Sequence, residues 1–144
     1  MTGQRHLEPG HTPRVLLADD DRELRSLLGL TLRRAGYEVI EAGDGIEVVN
    51  FLYADGSAEW MPPLDAIVSD LCMPGLTGLE ALTCLRDDDH RLPFILMTAF
   101  GTADVRAQAR RLGATAVLMK PFLPGELRLL LNLLLGHHQP VRGG

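Results

Sequence analysis

The sequence predicts an α/β fold, an open, doubly wound parallel sheet with helices on both of its faces. Apolar segments typical of strands alternate five times with segments whose apolar residues have helical spacing. Parallel strands need crossover connections, and right-handed crossovers place helices on both faces of the sheet. With 144 residues, 46% of them hydrophobic, the chain is long enough for one domain of this kind.

The five predicted strands are short, and three of them are nearly continuous apolar runs. This pattern is typical of parallel strands that are buried on both faces of a sheet. The predicted strands are residues 14–18, 37–42, 65–69, 94–98 and 115–119.

Five predicted helices follow these strands, and glycine stands after the first, fourth and fifth, where a helix usually ends. The third helix begins near Gly78, the fourth covers residues 102–112 and the fifth covers residues 124–135. The apolar positions that indicate the first three helices are Leu24, Leu27, Leu28 and Ala35, then Ile46, Val49, Leu52 and Tyr53, then Leu79, Leu82 and Leu85.

Charge and hydropathy argue against two classes of partner. The formal net charge is −5 and the pI is near 5.4, whereas nucleic-acid-binding surfaces are usually basic. Residues 1–13 lack the apolar core of a signal peptide, and the apolar run 127–135 is interrupted by Arg128 and Asn132. We therefore expect a soluble cytoplasmic protein that binds neither nucleic acid nor a membrane directly.

The cysteines and histidines indicate neither a disulfide nor a zinc site. Cys72 and Cys84 form no C-x-x-C pattern, so two reduced thiols are expected. The five histidines fall mostly in the terminal tails without metal-ligand spacing, and solvated side chains are expected there. Residues 57–63 hold two prolines and the only tryptophan, which indicates a surface excursion without a readable function.

The residues best suited to chemistry follow the predicted strands. In open α/β sheets, ligands bind beyond the carboxyl ends of the strands, where the strand order reverses. Four of the five strands end in, or run directly into, such residues. They are Asp19, Asp20 and Asp21 after the first strand, Asp70 after the third, Thr98 at the end of the fourth, and Lys120 with Pro121 after the fifth.

The consecutive carboxylates predict a divalent cation. Two unit charges about 4 Å apart repel by about 4 kcal/mol at an effective dielectric constant of about 20. Mg²⁺ prefers hard oxygen ligands and is usually held by one or two carboxylates with phosphate oxygens and water. The alternative is an acidic run that caps a helix N-terminus, which we expect for Asp21 alone. Asp19 and Asp20 are expected to hold the metal.

Asp70 then has the position of a nucleophile, because a carboxylate can accept a phosphoryl group to form an acyl phosphate. Lys120 would supply a positive charge, and the Thr98 hydroxyl could donate a hydrogen bond. The alternatives are an exposed loop lysine and an ordinary cap at a strand end.

Four motifs in order give the sequence a specific resemblance. They are V-L-L-A-D-D-D at 15–21, I-V-S-D-L-C-M-P-G-L-T-G at 67–78, L-M-T-A at 96–99 and M-K-P-F at 119–122. The chain resembles response-regulator receiver domains, and is similar to the chemotaxis-type single-domain regulators.

This resemblance implies a flavodoxin-like, (βα)5 three-layer α/β/α sandwich with the strand order 2-1-3-4-5. It covers residues 13–136, so residues 1–12 and 137–144 are expected to be flexible tails.

The resemblance also implies roles for individual residues. Asp70 matches the phosphoacceptor, and Asp19 and Asp20 match the acidic pair that positions Mg²⁺, with Asp70 and the backbone carbonyl of Cys72 as further ligands. Thr98 matches the hydroxyl that turns toward the phosphoryl group. Lys120 matches the lysine that contacts phosphate, and its bond to Pro121 is expected to be cis.

The family accepts phosphate from a histidine kinase or a small acyl-phosphate donor and loses it by self-catalysed hydrolysis. We therefore expect a signalling module without independent substrate turnover. Its expected partners are a histidine kinase or phosphotransfer protein and a downstream protein that contacts helix 4, strand 5 and helix 5. A phosphorelay carrier and an excised receiver of a larger regulator or hybrid kinase stay open. An aspartyl-phosphate hydrolase is disfavoured, because Cys72 replaces the second carboxylate that such enzymes use.

Departures from the family pattern affect the predicted output. Val117 stands where the family often has an aromatic ring that swings inward, so the Thr98 loop and helix 4 are expected to carry the signal. Thr115 and Ala116 replace an acidic residue used by many dimerising receivers, which argues against that dimer mode.

Two further features give expectations about binding and lifetime. Leu129 and Leu133 are expected to point outward from helix 5 as a docking or homodimer patch, with ordinary surface leucines as the alternative. Cys72 and Phe100 occupy positions that tune hydrolysis in the family. An apolar ring at the mouth of the site predicts a longer phosphoryl lifetime than in the fast chemotaxis-type regulators.

Overall fold

The computed structural model describes residues 11–52, 64–87 and 92–136. In these ranges five strands alternate with five helices along the chain. In chain order they are β1 Arg14–Ala18, α1 Arg22–Arg34, β2 Glu38–Ala42, α2 Gly45–Leu52, β3 Ala66–Asp70, α3 Gly78–Asp87, β4 Phe94–Thr98, α4 Ala103–Arg111, β5 Ala116–Met119 and α5 Pro124–Leu135.

The strands form one parallel sheet in the order β2-β1-β3-β4-β5. This confirms the predicted flavodoxin-like α/β fold and its strand order. The order reverses between β1 and β3, so the carboxyl ends of these two strands flank the crevice where such sheets bind ligands.

The core consists of two apolar layers, one on each face of the sheet. Helices α1 and α5 cover one face, and α2, α3 and α4 cover the other. Successive side chains of a strand point to opposite faces. Accordingly, Val15 and Leu17 of β1 pack in the first layer, whereas Leu16 and Ala18 pack in the second. Burial of each of these leucines stabilises the fold by about 1.5–3 kcal/mol. The site residues at the end of the sheet therefore follow well-packed strands.

The predicted start of β3 is one residue early, and β3 extends through Asp70. Asp65 lies directly before β3. Its Oδ2 accepts hydrogen bonds from Arg14 N at 2.8 Å and from His11 Nε2 at 2.9 Å. His11 is exposed, as expected for a histidine in the tail, but it also forms this hydrogen bond with Asp65. This contact lies at the amino-terminal ends of β1 and β3, opposite the predicted ligand edge.

Side-chain caps explain where the helices begin. Asp21 Oδ1 accepts from Leu24 N at 3.1 Å, which confirms the capping role expected for this residue alone. Thr77 and Glu80 form a reciprocal capping box at α3, with both hydrogen bonds at 3.1 Å.

Helix α5 has the two faces that the sequence predicts. Leu127, Leu131 and Leu135 are fully buried, whereas Leu129 and Leu133 are 61% and 69% exposed. Within the described ranges, no helix is long and apolar enough to cross a membrane.

Some apolar positions used to predict the helices lie at the margin of the core or outside the described ranges. Leu27 on α1 and Ile46 on α2 are exposed, and Leu28 and Val48 supply the buried face of these helices. The predicted surface excursion 57–63 lies outside the described residues. The predicted tails do as well, except for residues 11 and 12.

Candidate functional site

Three carboxylates meet at the carboxyl edge of the sheet. Asp19 and Asp20 follow β1, and Asp70 ends β3, its parallel neighbour. One carboxylate oxygen from each of the three lies within 4.8 Å of the others. Asp19 and Asp70 are buried, whereas Asp20 is exposed. The sheet thus brings together the acidic residues that the strand-end pattern selects.

Lys120 supplies a positive charge to this cluster. Its Nζ lies 2.9 Å from Asp19 Oδ2 and 3.4 Å from Asp70 Oδ1. Only one-fifth of the Lys120 side chain is exposed, so the alternative of an exposed loop lysine is wrong. It is also the single lysine of the sequence, in which the other 13 of the 14 basic residues are arginines.

Every polar atom of Asp19 is engaged. Its Oδ1 accepts from Asp21 N at 2.9 Å and its Oδ2 accepts from Lys120, while its backbone N–H donates to Ala42 O at 3.1 Å. Its carbonyl oxygen accepts from Arg25 Nη1 at 2.7 Å. Such complete pairing is what a fully buried carboxylate requires.

Burial and the charges of the cluster together shift two pKa values. Burial is the main cause that raises the pKa of Asp70 to about 6, and the negative charge of Asp19 adds to it, while Lys120 acts in the opposite direction. Burial also acts to lower the pKa of Lys120, but the hydrogen bonds and charges of Asp19 and Asp70 outweigh it and raise this pKa. Three carboxylates against one ammonium leave an excess of negative charge.

That excess and the donor set fit a magnesium ion. Three carboxylate oxygens from Asp19, Asp20 and Asp70 are hard ligands of the kind that Mg²⁺ prefers, and Asp20 faces solvent, from which the ion and its water ligands arrive. Further positive charge at this place would reduce the mutual repulsion of the carboxylates, which Lys120 balances only in part.

Thr98 and Cys72 lie at the same edge but outside the charged cluster. Thr98 is buried at the end of β4, and its Oγ1 accepts a hydrogen bond from Phe100 N at 2.9 Å. In this structure the hydroxyl therefore has the capping role that was the alternative expectation. Cys72 is exposed, two residues beyond Asp70. The Lys120–Pro121 bond is cis, as expected.

Two glycines, Gly45 and Gly78, allow the loop that follows Asp70 to pack closely, and neither is among the site residues predicted from the sequence. A Cβ at Gly45 would lie 2.2 Å from Leu76 O, and one at Gly78 would lie 2.4 Å from Asp70 O. Gly45 N also donates to Pro74 O at 3.2 Å. The loop can approach α2 and the end of β3 this closely only because both positions lack a side chain. A lone glycine beside a predicted helix gave no signal of such contacts.

Most of the chain is similar to known proteins. Residues 15–132 match the family described as the response regulator receiver domain. The transcriptional regulatory protein PrrA of Mycobacterium tuberculosis is 38% identical over 116 residues, which are 81% of this chain and 47% of PrrA. The response regulator protein FleR of Pseudomonas aeruginosa is 36% identical over 129 residues, covering 86% of this chain and 24% of FleR. The chain thus corresponds to about half or less of these relatives.

Solved structures show the same fold. The chemotaxis response regulator CheY4 of Vibrio cholerae is 30% identical, with a TM-score of 0.73, covering 87% of this chain and 100% of CheY4. The receiver domain of the sensor histidine kinase PA1611 from Pseudomonas aeruginosa is 30% identical, with a TM-score of 0.72, covering 88% of this chain and 99% of that domain. That structure has a magnesium ion coordinated in its active-site cleft. Sequence match, strand order and acidic edge together show that this chain belongs to the response regulator receiver domain family of two-component signalling systems.

Proposed function

We propose that this receiver domain is a phosphoacceptor that takes a phosphoryl group onto Asp70 from a histidine kinase or a phosphotransfer protein. One observation carries the proposal: Asp70 is a buried carboxylate at the sheet edge, close to the Lys120 ammonium and to two further carboxylates. This combination gives the nucleophile, its counter-charge and a set of metal ligands in one place.

In the proposed reaction, an Asp70 oxygen attacks phosphorus while the bond to the donor breaks, and the departing nitrogen or oxygen keeps the electron pair. Lys120 neutralises phosphoryl oxygens, because its Nζ already lies 3.4 Å from Asp70 Oδ1. Asp19, Asp20, Asp70 and the backbone carbonyl of Cys72 would hold Mg²⁺. When bound, that ion neutralises the oxygens of the transferring group. Attack by water on phosphorus later releases inorganic phosphate and restores the carboxylate.

Thr98 is the proposed link from this reaction to the surface. Its hydroxyl now accepts from Phe100 N at 2.9 Å, so a turn of the hydroxyl toward a phosphoryl oxygen would release the start of the loop before α4. Val117 is half-buried and has no ring to move. The side chain of Met119, at the end of β5, packs against that loop, since a Cβ at Gly101 would lie 2.6 Å from its Sδ. This contact supports transmission through the loop and α4.

The proposed output is contact with a downstream protein through α4, β5 and α5. Leu129 and Leu133 are exposed on α5, and Met119 is exposed at the end of β5. Exposed apolar side chains of this kind fit a protein partner, with a homodimer as the second candidate. We assign the receiver unit to residues 13–136. A phosphorelay carrier and a receiver cut from a longer regulator or hybrid kinase fit the same site.

Incubation with acetyl phosphate and Mg²⁺, followed by intact mass measurement, tests the chemistry. We expect a gain of one phosphoryl group in the wild type and none in Asp70→Asn. An equal gain in the variant would refute Asp70 as the acceptor. Turnover of an external phosphomonoester would instead favour an aspartyl-phosphate hydrolase, the other class considered.

The metal role is tested separately with Asp20→Asn and a matched control. Asp21→Asn removes the neighbouring charge but keeps a good helix cap, since Asn and Asp cap equally well. We expect Mg²⁺ binding, measured by titration calorimetry, to weaken in Asp20→Asn and to change little in Asp21→Asn. If Mg²⁺ binding weakens equally in both variants, Asp20 attracts the ion only through the negative charge of the loop and is not a specific ligand.

The proposed output is tested by affinity capture from a cell lysate. Wild type treated with acetyl phosphate is compared with Asp70→Asn treated in the same way. A partner captured only by the phosphorylated protein supports a switched contact, and loss of it in Leu133→Ala would locate that contact on α5. Identical captures would argue against a phosphorylation-dependent output.

A further inference from the structure

We propose that Arg25 is a positioning residue of the metal site, which directs the Asp20 carboxylate through the backbone of Asp19. This inference rests on the proposed function, because it takes Asp20 as a ligand of the cation. Arg25 is part of α1 and is absent from the set of residues that the motifs select.

The contact acts on the peptide group that joins the two acidic residues. Arg25 Nη1 donates to the carbonyl oxygen of Asp19 at 2.7 Å, which is a short hydrogen bond. That carbonyl belongs to the planar peptide that ends at the nitrogen of Asp20. Fixing the carbonyl direction therefore fixes the direction in which the chain enters Asp20.

The hydrogen bond from Arg25 matters more for the orientation of the Asp20 carboxylate than for that of Asp19. The Asp19 carboxylate is buried and held by Asp21 N and Lys120 Nζ. Asp20 is exposed at the start of the loop between β1 and α1, so packing gives its side chain little guidance. Its backbone is the element that can aim its carboxylate at Asp70.

The guanidinium of Arg25 is itself held in place. Its Nε donates to Glu41 Oε1 on β2 at 3.1 Å, and Arg33 Nη2 donates to the other oxygen of Glu41 at 3.1 Å. A Cβ at Gly43 would lie 3.2 Å from Arg25 Nη1, so the glycine leaves room for the guanidinium. The chain Arg33, Glu41 and Arg25 thus connects β2 to the acidic loop.

The effect on metal binding is geometric more than electrostatic. The charge of Arg25 is paired with Glu41, so the pair adds little net charge near the carboxylates. A partner of a metal ligand that fixes its orientation typically changes metal affinity about 10- to 100-fold. Arg25 acts on a ligand in this way without touching the cation.

The test compares Arg25→Met with Arg33→Met, because both remove a bond to Glu41 but only Arg25 contacts Asp19. Mg²⁺ affinity is measured by titration calorimetry, and the free energy of unfolding is measured with urea in EDTA. We expect Arg25→Met to raise the Mg²⁺ dissociation constant about tenfold. Arg33→Met should change it by no more than about twofold, as for other surface substitutions.

Arg25→Lys is the rescue variant, since its ammonium can still donate to the Asp19 carbonyl. It should recover part of the affinity lost in Arg25→Met, which a purely structural role would not produce. If Arg25→Met is partly unfolded, Glu41→Gln loosens the same guanidinium and should weaken Mg²⁺ binding in the same direction.

The possible failures are distinct. If the wild type binds Mg²⁺ and Arg25→Met binds it equally well, the positioning role is overturned and the proposed function stands. If the wild type binds no Mg²⁺ and gains no phosphoryl group, the proposed function is overturned together with this inference.

Discussion

The Lys120 ammonium lies between two buried carboxylates, 2.9 Å from Asp19 Oδ2 and 3.4 Å from Asp70 Oδ1. This relationship joins the ends of β1, β3 and β5, although the residues are up to 101 positions apart. In the metal-free protein, Lys120 is the cation that limits the repulsion between Asp19 and Asp70. A bound divalent ion would take over part of that task.

Lys120→Met should therefore destabilise the protein mainly in the absence of metal. Removing one partner of a buried pair costs about 3–5 kcal/mol, and the partial exposure of Lys120 reduces this to about 2 kcal/mol in EDTA. Saturating Mg²⁺ should restore most of the loss. Urea unfolding in EDTA and in Mg²⁺ measures both values.

Arg128→Met is the control for the loss of one positive charge, because Arg128 is exposed on α5. It should show no dependence of its stability change on Mg²⁺. If Lys120→Met loses the same free energy of unfolding in EDTA and in Mg²⁺, the metal does not take over the role of Lys120 as counter-charge.

The raised pKa of Asp70 predicts a pH-dependent gain in stability for Asp70→Asn without metal. Burial raises the pKa of this carboxyl from 3.8 to about 6. Between these values the folded state binds more protons than the unfolded state, so wild-type stability falls as pH rises through this window. The difference between these pKa values corresponds to about 3 kcal/mol. We expect Asp70→Asn to be only about 2 kcal/mol more stable than wild type at high pH, because Lys120 loses a partner in the variant.

Urea unfolding of both proteins in EDTA between pH 4 and pH 8 checks this prediction. Asp70→Asn and wild type should differ least near pH 4, and the variant should be the more stable above pH 7. A stability difference that stays constant over this range would argue against a buried, protonation-sensitive Asp70.

Gly45→Ala should displace the loop that follows Asp70. The added Cβ would meet the Leu76 backbone at 2.2 Å, which cannot be relieved by moving a flexible side chain. We expect a loss of about 1–3 kcal/mol, as for other overpacked sites. Thermal or urea unfolding gives the value.

Gly125→Ala is the matched control, because it also adds a methyl group to a helix but meets only Arg128 Nη2 at 3.9 Å. It should be neutral or stabilising, since alanine is a better helix former than glycine. Similar losses in the two variants would mean that the contact with Leu76 is not the cause.

Phe100 is expected to lengthen the lifetime of the phosphoryl group. Phe100 is 64% exposed and follows Thr98 by two residues. We expect its apolar ring at the mouth of the site to hinder attack by water. Phe100→Ala should lose its phosphoryl group several times faster than wild type, as followed by intact mass after removal of the donor. Leu123→Ala removes another exposed apolar side chain and should leave the rate unchanged. A wild-type half-life of seconds would refute the long lifetime.

The sequence was sufficient for the fold and for bringing the strand-end aspartates and Lys120 together. Five short apolar runs predict the strands because both faces of the parallel sheet are buried, and the strand ends follow from them. Asp19, Asp70 and Lys120 could therefore be placed together before the structure was known. The prediction relies on topology, which brings distant segments to one edge.

The pattern of apolar residues does not predict contacts made by long side chains or by the backbone at glycines. Arg25 reaches the Asp19 carbonyl from α1, and His11 reaches Asp65 from outside the predicted domain. Neither contact could be predicted from the sequence, because a long, flexible side chain has several possible partners within reach. Gly45 also gave no signal, since the need for glycine arises from a loop that approaches it in space.

The most direct test of the central claim is to locate the phosphorylated residue chemically. Borohydride reduces an aspartyl phosphate to homoserine, which peptide mass mapping assigns to one position. After acetyl phosphate treatment, we expect homoserine at Asp70, formed with Mg²⁺ and lost in EDTA. Homoserine at Asp19 or Asp20, or equal labelling of Asp70 without a divalent ion, would contradict a phosphoacceptor that shares its metal with the end of β1.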